Sequence, residues 1–125
     1  MTLLLDAGAL VAYERGDKIV QAHLERASRT GTSVRTTTGV VAQVWRNGSR
    51  QVRLGRLLRG VAEVELSRAQ ARRIGPLLGA AGRSDVVDAS IVDAALDGDE
   101  ILTSDPEDIA ALASSSGRTL IVTRV

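Results

Sequence analysis

The chain has no cysteine and no phenylalanine, and only one tyrosine, one tryptophan and one histidine in 125 residues. Each scarcity removes a class of chemistry. Without cysteine there are no disulfides and no thiolate metal sites. With Tyr13 and Trp45 as the only aromatics, stacking of bases on an aromatic platform is not the expected mode of nucleic-acid recognition. His23 alone can build neither a histidine metal site nor an acid–base histidine pair; a serine triad would need it too, and its helix offers no partner. We expect it at the surface or half-buried. No G-x-x-x-x-G-K-[ST] loop is present, which argues against nucleotide hydrolysis of the P-loop type. No apolar run approaches the ~20 residues of a membrane span. The opening stretch MTLLLDAGAL has no basic leader and meets an acid at Asp6, so we expect no secretory signal and a cytoplasmic location.

What is present suits one compact domain, 1–125, large enough to bury about two thirds of its unfolded surface. Hydrophobic residues make up 44% and charged residues 25%, ordinary values for a globular protein. The net charge of +1 hides a segregation. From Arg26 to Ala62 there are eight arginines and no acid; from Ser84 to Gly117 there are nine acids and no lysine or arginine. The first block suits polyanions and the second cations. Arginine outnumbers lysine fifteen to one, which a GC-rich genome explains as readily as any function.

The pattern of elements alternates. TLLLD (2–6) reads as a buried strand ending at Asp6, followed by a helix through Ala9 to Tyr13 and a second helix over 17–29. SVRT (33–36) is a short strand; 39–48 and the arginine-studded 50–59 look helical, although Gly55 weakens the latter. VAEVEL (61–66) has the period of a half-buried or edge strand. A helix over 68–80 tolerates Gly75 and Pro76 poorly. SDVVDASIVDAALDG (84–98) is the clearest helix, with Ser84 as cap and Gly98 as stop. The strand EILT, a helix over 105–115 and the strand TLIVTRV complete an α/β protein. We expect a three-layer α/β/α fold with a mostly parallel sheet of about five strands.

In such sheets, sites form beyond the carboxyl ends of the strands, where strand order reverses. Asp6 ends the first strand and Asp105 follows EILT by two residues, so neighbouring strands would bring the two together. Each also has a capping explanation: Asp6 for the helix near Ala9, and Ser104 or Asp105 for the helix that Pro106, Glu107 and Asp108 begin. Asp88 has none. It shares a helical stripe with Ile91, Val92, Ala95 and Leu96, on the face that packs against the sheet. Asp93 and Asp97 fall on another face and are expected to be solvated, while Asp85 is either a first-turn acid or a member of the same pocket. At ~4 Å and an effective dielectric near 20, each carboxylate pair costs about 4 kcal/mol. A hard divalent cation such as Mg²⁺ or Mn²⁺ relieves that repulsion through oxygen ligands and usually works with phosphates. A proton-sharing pair of the aspartic-protease kind is an alternative, but does not need three or four acids.

LLLDAGAL, DASIVDAAL at 88–96 and LTSDPEDI at 102–109 resemble, in order and spacing over essentially the whole chain, the motifs of PIN-domain ribonucleases, specifically the VapC-type toxins of toxin–antitoxin pairs. The resemblance implies a PIN-like fold and an endoribonuclease dependent on Mg²⁺ or Mn²⁺, with Asp6, Asp88 and Asp105 as metal ligands and Asp108 at a further position that is often acidic. The family usually has a glutamate in the helix after the second strand, where this chain has Gln43. The amide keeps an oxygen that can accept or coordinate, but loses a charge and any capacity as a base.

For the RNA backbone, Arg46, Arg50, Arg53, Arg56 and Arg59 recur every three or four residues, as a phosphate-binding groove or as a solvated face. The resemblance also implies a small antitoxin partner that blocks the acidic site, and a homodimer, for which Val11, Tyr13, Val40, Val41 and Trp45 are apolar candidates that core packing explains equally well. Two other readings stand beside the nuclease. One is a catalytically impaired PIN-like binding module marked by Gln43. The other is a Mg²⁺-dependent phospho-acceptor signalling domain, which fits less well because Asp6 stands alone at the first strand and Lys18 is the only lysine.

Overall fold

The computed structural model describes residues 1–125. Five strands, β1 (Thr2–Leu5), β2 (Ser33–Thr37), β3 (Ala62–Val64), β4 (Glu100–Thr103) and β5 (Ile121–Arg124), form one sheet in the order β3-β2-β1-β4-β5. Every pairing is parallel. The two central strands are covered on both faces and read accordingly: Leu3, Leu4 and Leu5 of β1 and Ile101 and Leu102 of β4 are buried. The edges are β5 and β3, the latter matching the alternation of VAEVEL.

Seven helices fill the connections: α1 (Ala7–Glu14), α2 (Lys18–Thr30), α3 (Thr38–Val44), α4 (Val52–Arg59), α5 (Arg68–Ala81), α6 (Val86–Ala94) and α7 (Pro106–Ser116). α1 packs with α2, α3 and α4, whereas α5, α6 and α7 pack on one another. The result is the three-layer α/β/α arrangement expected from the alternation of elements. No helix is long and apolar enough to cross a membrane.

Two helices are shorter than their sequences suggest. α3 stops at Val44 because Trp45 turns extended and lies over Gly48 and Gly55, where a Cβ on Gly48 would meet the indole at 2.7 Å. Arg50 then falls in a 3-10 turn, Gly48–Arg50, and Arg46 and Arg50 lie on the connection before α4. α6 ends at Ala94 rather than near Gly98, because acid side chains there hold a turn. Asp99 accepts the Leu96 N–H (2.9 Å) and the Thr2 N–H (2.7 Å), and Gly98 supplies the positive φ of 88°. Leu96, expected on the buried stripe, is therefore 65% exposed.

Of the two acids expected to be solvated, one differs from expectation. Asp93 is not solvated: its side chain is 5% exposed and takes a bidentate pair from Arg73 (3.0 and 2.9 Å). Asp97 accepts the Thr119 N–H at 2.8 Å, tying the end of α6 to the start of β5. Asp93 is thus a structural group whose carboxylate is satisfied within the fold, whereas Asp97 is exposed as expected and makes this one bond.

Candidate metal centre

The strand order places the reversal point between β1 and β4: the chain leaves β1 toward β2 and β3, then returns to the other side of β1 for β4 and β5. Asp6 follows β1 and Asp105 follows β4, and the Asp6 N–H donates to the Leu102 carbonyl (3.2 Å). Asp88 reaches the same edge from the first turn of α6. Carboxylate oxygens of Asp88, Asp105 and Asp108 all lie within 4.8 Å of one another.

Capping and chemistry divide differently among these acids. Asp105 is the N-cap residue of α7 by position, yet its side chain makes no capping hydrogen bond; Pro106 begins the helix. Its carboxylate is left for the cluster. Asp85 does the opposite work, accepting the Val87 and Asp88 N–H groups at 2.9 and 3.0 Å as the cap of α6, a role expected of Ser84. Ser104 is not a cap. It sits in the turn between β4 and Asp105, against Gly8, where any Cβ would run into the serine side chain. This close approach draws the start of α1 onto the β4–α7 turn.

Asp6 has both roles at once. It caps α1 by accepting the Ala9 N–H at 2.8 Å and is 5% exposed. Burial raises its pKa, against hydrogen bonds from the Thr103 hydroxyl and the Ala9, Ser104 and Gly8 amides. It lies outside the group of three oxygens but close enough to repel Asp88.

The electrostatics report the crowding. The pKa of Asp88 is pushed up to about 6, first by burial and then by the charges of Asp85, Asp6, Asp105 and Asp108. Asp105 is also raised, by a hydrogen bond with the Asp108 carboxyl, then by burial and by the Asp108 and Glu107 charges. One cation of the chain answers them: Arg83 Nε lies 3.1 Å from Asp108 Oδ1. The donors are all carboxylate oxygens, as a hard divalent cation requires, and oxygens bound at 2.0–2.1 Å to one ion are at most about 4.2 Å apart. A pair at the full 4.8 Å would close by about 0.6 Å to sit on opposite sides of one ion, and by more to sit at adjacent corners, a movement of side chains on the exposed rim.

Gln43 is exposed on α3 and is not among the clustered acids. It lines a cleft of about 440 Å³ with Arg15, Arg46, Asn47 and Arg50, and with one acid, Glu14, which is held by Gln51. A second cleft, of about 460 Å³, is lined by Gly8, Gly16 and Ser104. Val11 and Arg15 belong to both, so one groove runs along α1 from the turn beside Asp105 to the arginines. Arg53 stands near it, since a Cβ on Gly16 would lie 2.8 Å from Arg53 Nη1. Arg15 and Arg83 were not singled out from sequence. Arg83 had a signal, as the last cation before the acidic block; Arg15 had none beyond its place in ERGD after α1.

Among solved structures, the chain is similar to a chain of the VapBC2 complex from Rickettsia felis, whose crystal structure shows that complex bound to a DNA fragment from its promoter; the TM-score is 0.74 at 13% identity, over 100% of this chain and 99% of that one. The fold is PIN-like. No family model matches the chain, and no curated protein matches it. Within the PIN-like fold, Asp88, Asp105 and Asp108 form the tight acidic group, Asp6 borders it, and Gln43 lies in the arginine-lined groove.

Proposed function

We propose that this chain is the toxin component of a toxin–antitoxin pair, an Mg²⁺- or Mn²⁺-dependent endoribonuclease that hydrolyses RNA phosphodiester bonds at the acidic cluster. The observation that carries the chemistry is the convergence of Asp88, Asp105 and Asp108 within 4.8 Å at the reversal point of the sheet. The likeness to a chain of a VapBC complex supports the pairing with an antitoxin.

A divalent cation bound there supplies Lewis-acid polarisation of a phosphate oxygen and an activated water. The residues of the chain do the rest. Asp88, Asp105 and Asp108 would hold the cation, with Asp6 adding negative charge beside Asp88. Arg15, Arg46 and Arg50 hold backbone phosphates along the groove, and Arg53 borders it. Gln43, facing the same groove, can donate to a phosphate oxygen or position a water with its amide.

A small antitoxin would block the groove and present a cation to the acids. A homodimer would use Trp45 and the half-buried Val11, Tyr13 and Val41; Val40 is excluded because it is fully buried in the core. The site of action is the cytoplasm, where RNA is found.

The test is cleavage of structured RNA by the purified chain with Mn²⁺ and with EDTA, beside Asp88→Asn and Asp105→Asn. Activity should need the metal and fall at least a hundredfold in each variant, while Arg46→Ala and Arg50→Ala should weaken RNA binding and each reduce its salt slope by about 1. Wild type that neither cleaves RNA nor binds Mn²⁺ refutes the nuclease and leaves a binding module.

A further inference from the structure

The acidic cluster carries its own cation. Of the four ion pairs in the chain, one reaches the clustered acids, and that is Arg83 to Asp108. Its root is fixed by backbone geometry. Gly82 ends α5 in the left-handed conformation (φ 63°), and the Arg83 N–H closes the helix by donating to the Leu78 carbonyl at 3.0 Å. The next residues lead directly into the Asp85 cap of α6, so the base of the Arg83 side chain cannot leave the rim of the site.

The head group is free to move. The side chains of Arg83 and Asp108 are 41% and 43% exposed, and the closest approach is through Nε, at 3.1 Å. The guanidinium makes no side-chain hydrogen bond within the chain and is partly exposed, so its terminal nitrogens can reach the paired oxygens of a phosphate.

From this geometry we propose that Arg83 is an exchangeable counter-ion that regulates cation loading of the site proposed above. Without a divalent cation it pairs with Asp108 and takes part of that carboxylate's charge. A cation must displace it to use Asp108 as a ligand. Displaced, Arg83 is held at the rim where its fork can take a non-bridging oxygen of the substrate phosphate. Cation and phosphate then assist each other, because whichever binds first removes Arg83 from competition with the other. Such coupling is reciprocal by linkage.

The proposal rests on the metal-centre reading, and its experiment separates the two. Mn²⁺ is titrated by calorimetry into wild type, Arg83→Gln and Arg83→Lys, with and without a cleavage-resistant oligonucleotide, after thermal unfolding has shown all three folded. An exposed ion pair together with the removal of a neighbouring positive charge predicts Mn²⁺ binding about three- to tenfold tighter in Arg83→Gln. The oligonucleotide should tighten Mn²⁺ binding in wild type and do so at least threefold less in Arg83→Gln. Arg83→Lys, which keeps the charge, should bind Mn²⁺ alone as wild type does. Wild-type Mn²⁺ affinity in Arg83→Gln overturns the counter-ion and leaves the metal centre standing. Absence of Mn²⁺ binding in both wild type and Arg83→Gln overturns both.

Discussion

Replacing Asp88 by Asn should make the metal-free protein more stable. Its carboxyl accepts no hydrogen bond within the chain, since only its backbone N–H is engaged, by Asp85, so an amide of the same shape forfeits nothing. What the substitution removes is a charge held among four others. A rise from 3.8 to about 6 corresponds to about 3 kcal/mol of penalty on the ionised form. Asp88 is only half-buried, and solvent screening reduces this to about 1–2 kcal/mol.

The direction with pH follows from linkage. Folding raises this pKa, so the folded state binds the proton more tightly than the unfolded chain, and stability is lost as pH rises through about 6. Wild type and variant should be nearly equal at about pH 4 and diverge up to about pH 7. In EDTA at pH 7.5 the variant should melt about 3–8 °C higher, from the entropy change of a domain of this size. Mn²⁺ should reverse the order, because a ligand at a hundred times its Kd adds about 2.7 kcal/mol to wild type alone. A variant that melts at or below wild type in EDTA at pH 7.5, or a gain that persists unchanged to pH 4, would refute the reasoning.

Other substitutions test single contacts. Gly8→Ala places a methyl in the Ser104 side chain and should cost about 1–3 kcal/mol in urea unfolding, with weaker Mn²⁺ binding as the β4–α7 turn shifts. Asp6→Ala loses the cap of α1 while Asp6→Asn keeps one, so the alanine variant should be about 1 kcal/mol less stable than the asparagine variant in the same assay. Gln70 is buried on α5 with Oε1 unpartnered, and its Nε2 reaches the Ser90 carbonyl only at 3.4 Å. Gln70→Leu should therefore leave stability unchanged or raise it by about 1 kcal/mol, and a loss above 1 kcal/mol would mean that the amide has a partner.

The sheet was legible because its central strands are short unbroken apolar runs, and an acid following β1 and β4 marks their carboxyl ends. Asp88 was legible as well, since an acid on an apolar helical stripe has no local explanation. The helix ends were not, and the reason is particular. Asp97 falls within the expected helix and Asp99 just beyond its Gly98 stop, but they bind backbone N–H groups of Thr119, Leu96 and Thr2, partners up to 97 residues away that no periodicity reveals. Asp93 was misjudged for the same reason, because Arg73 lies on a different helix. Local grammar could not separate cap from ligand at Asp85 and Asp105 either. Both precede helices, yet one carboxylate caps and the other is left for the cluster. Arg15 joins Arg46 and Arg50 only through the fold, across a groove whose walls lie some thirty residues apart in sequence.

Because β4 slots in beside β1 only after the chain has made β2, β3 and six intervening helices, the clustered carboxylates are scattered until synthesis has passed Asp108. A nascent polypeptide still emerging from the ribosome holds Asp6 and then Asp88 without the third corner of the site. On the proposed activity, the molecule stays harmless to the messenger and ribosome that are making it until the final stretch has docked.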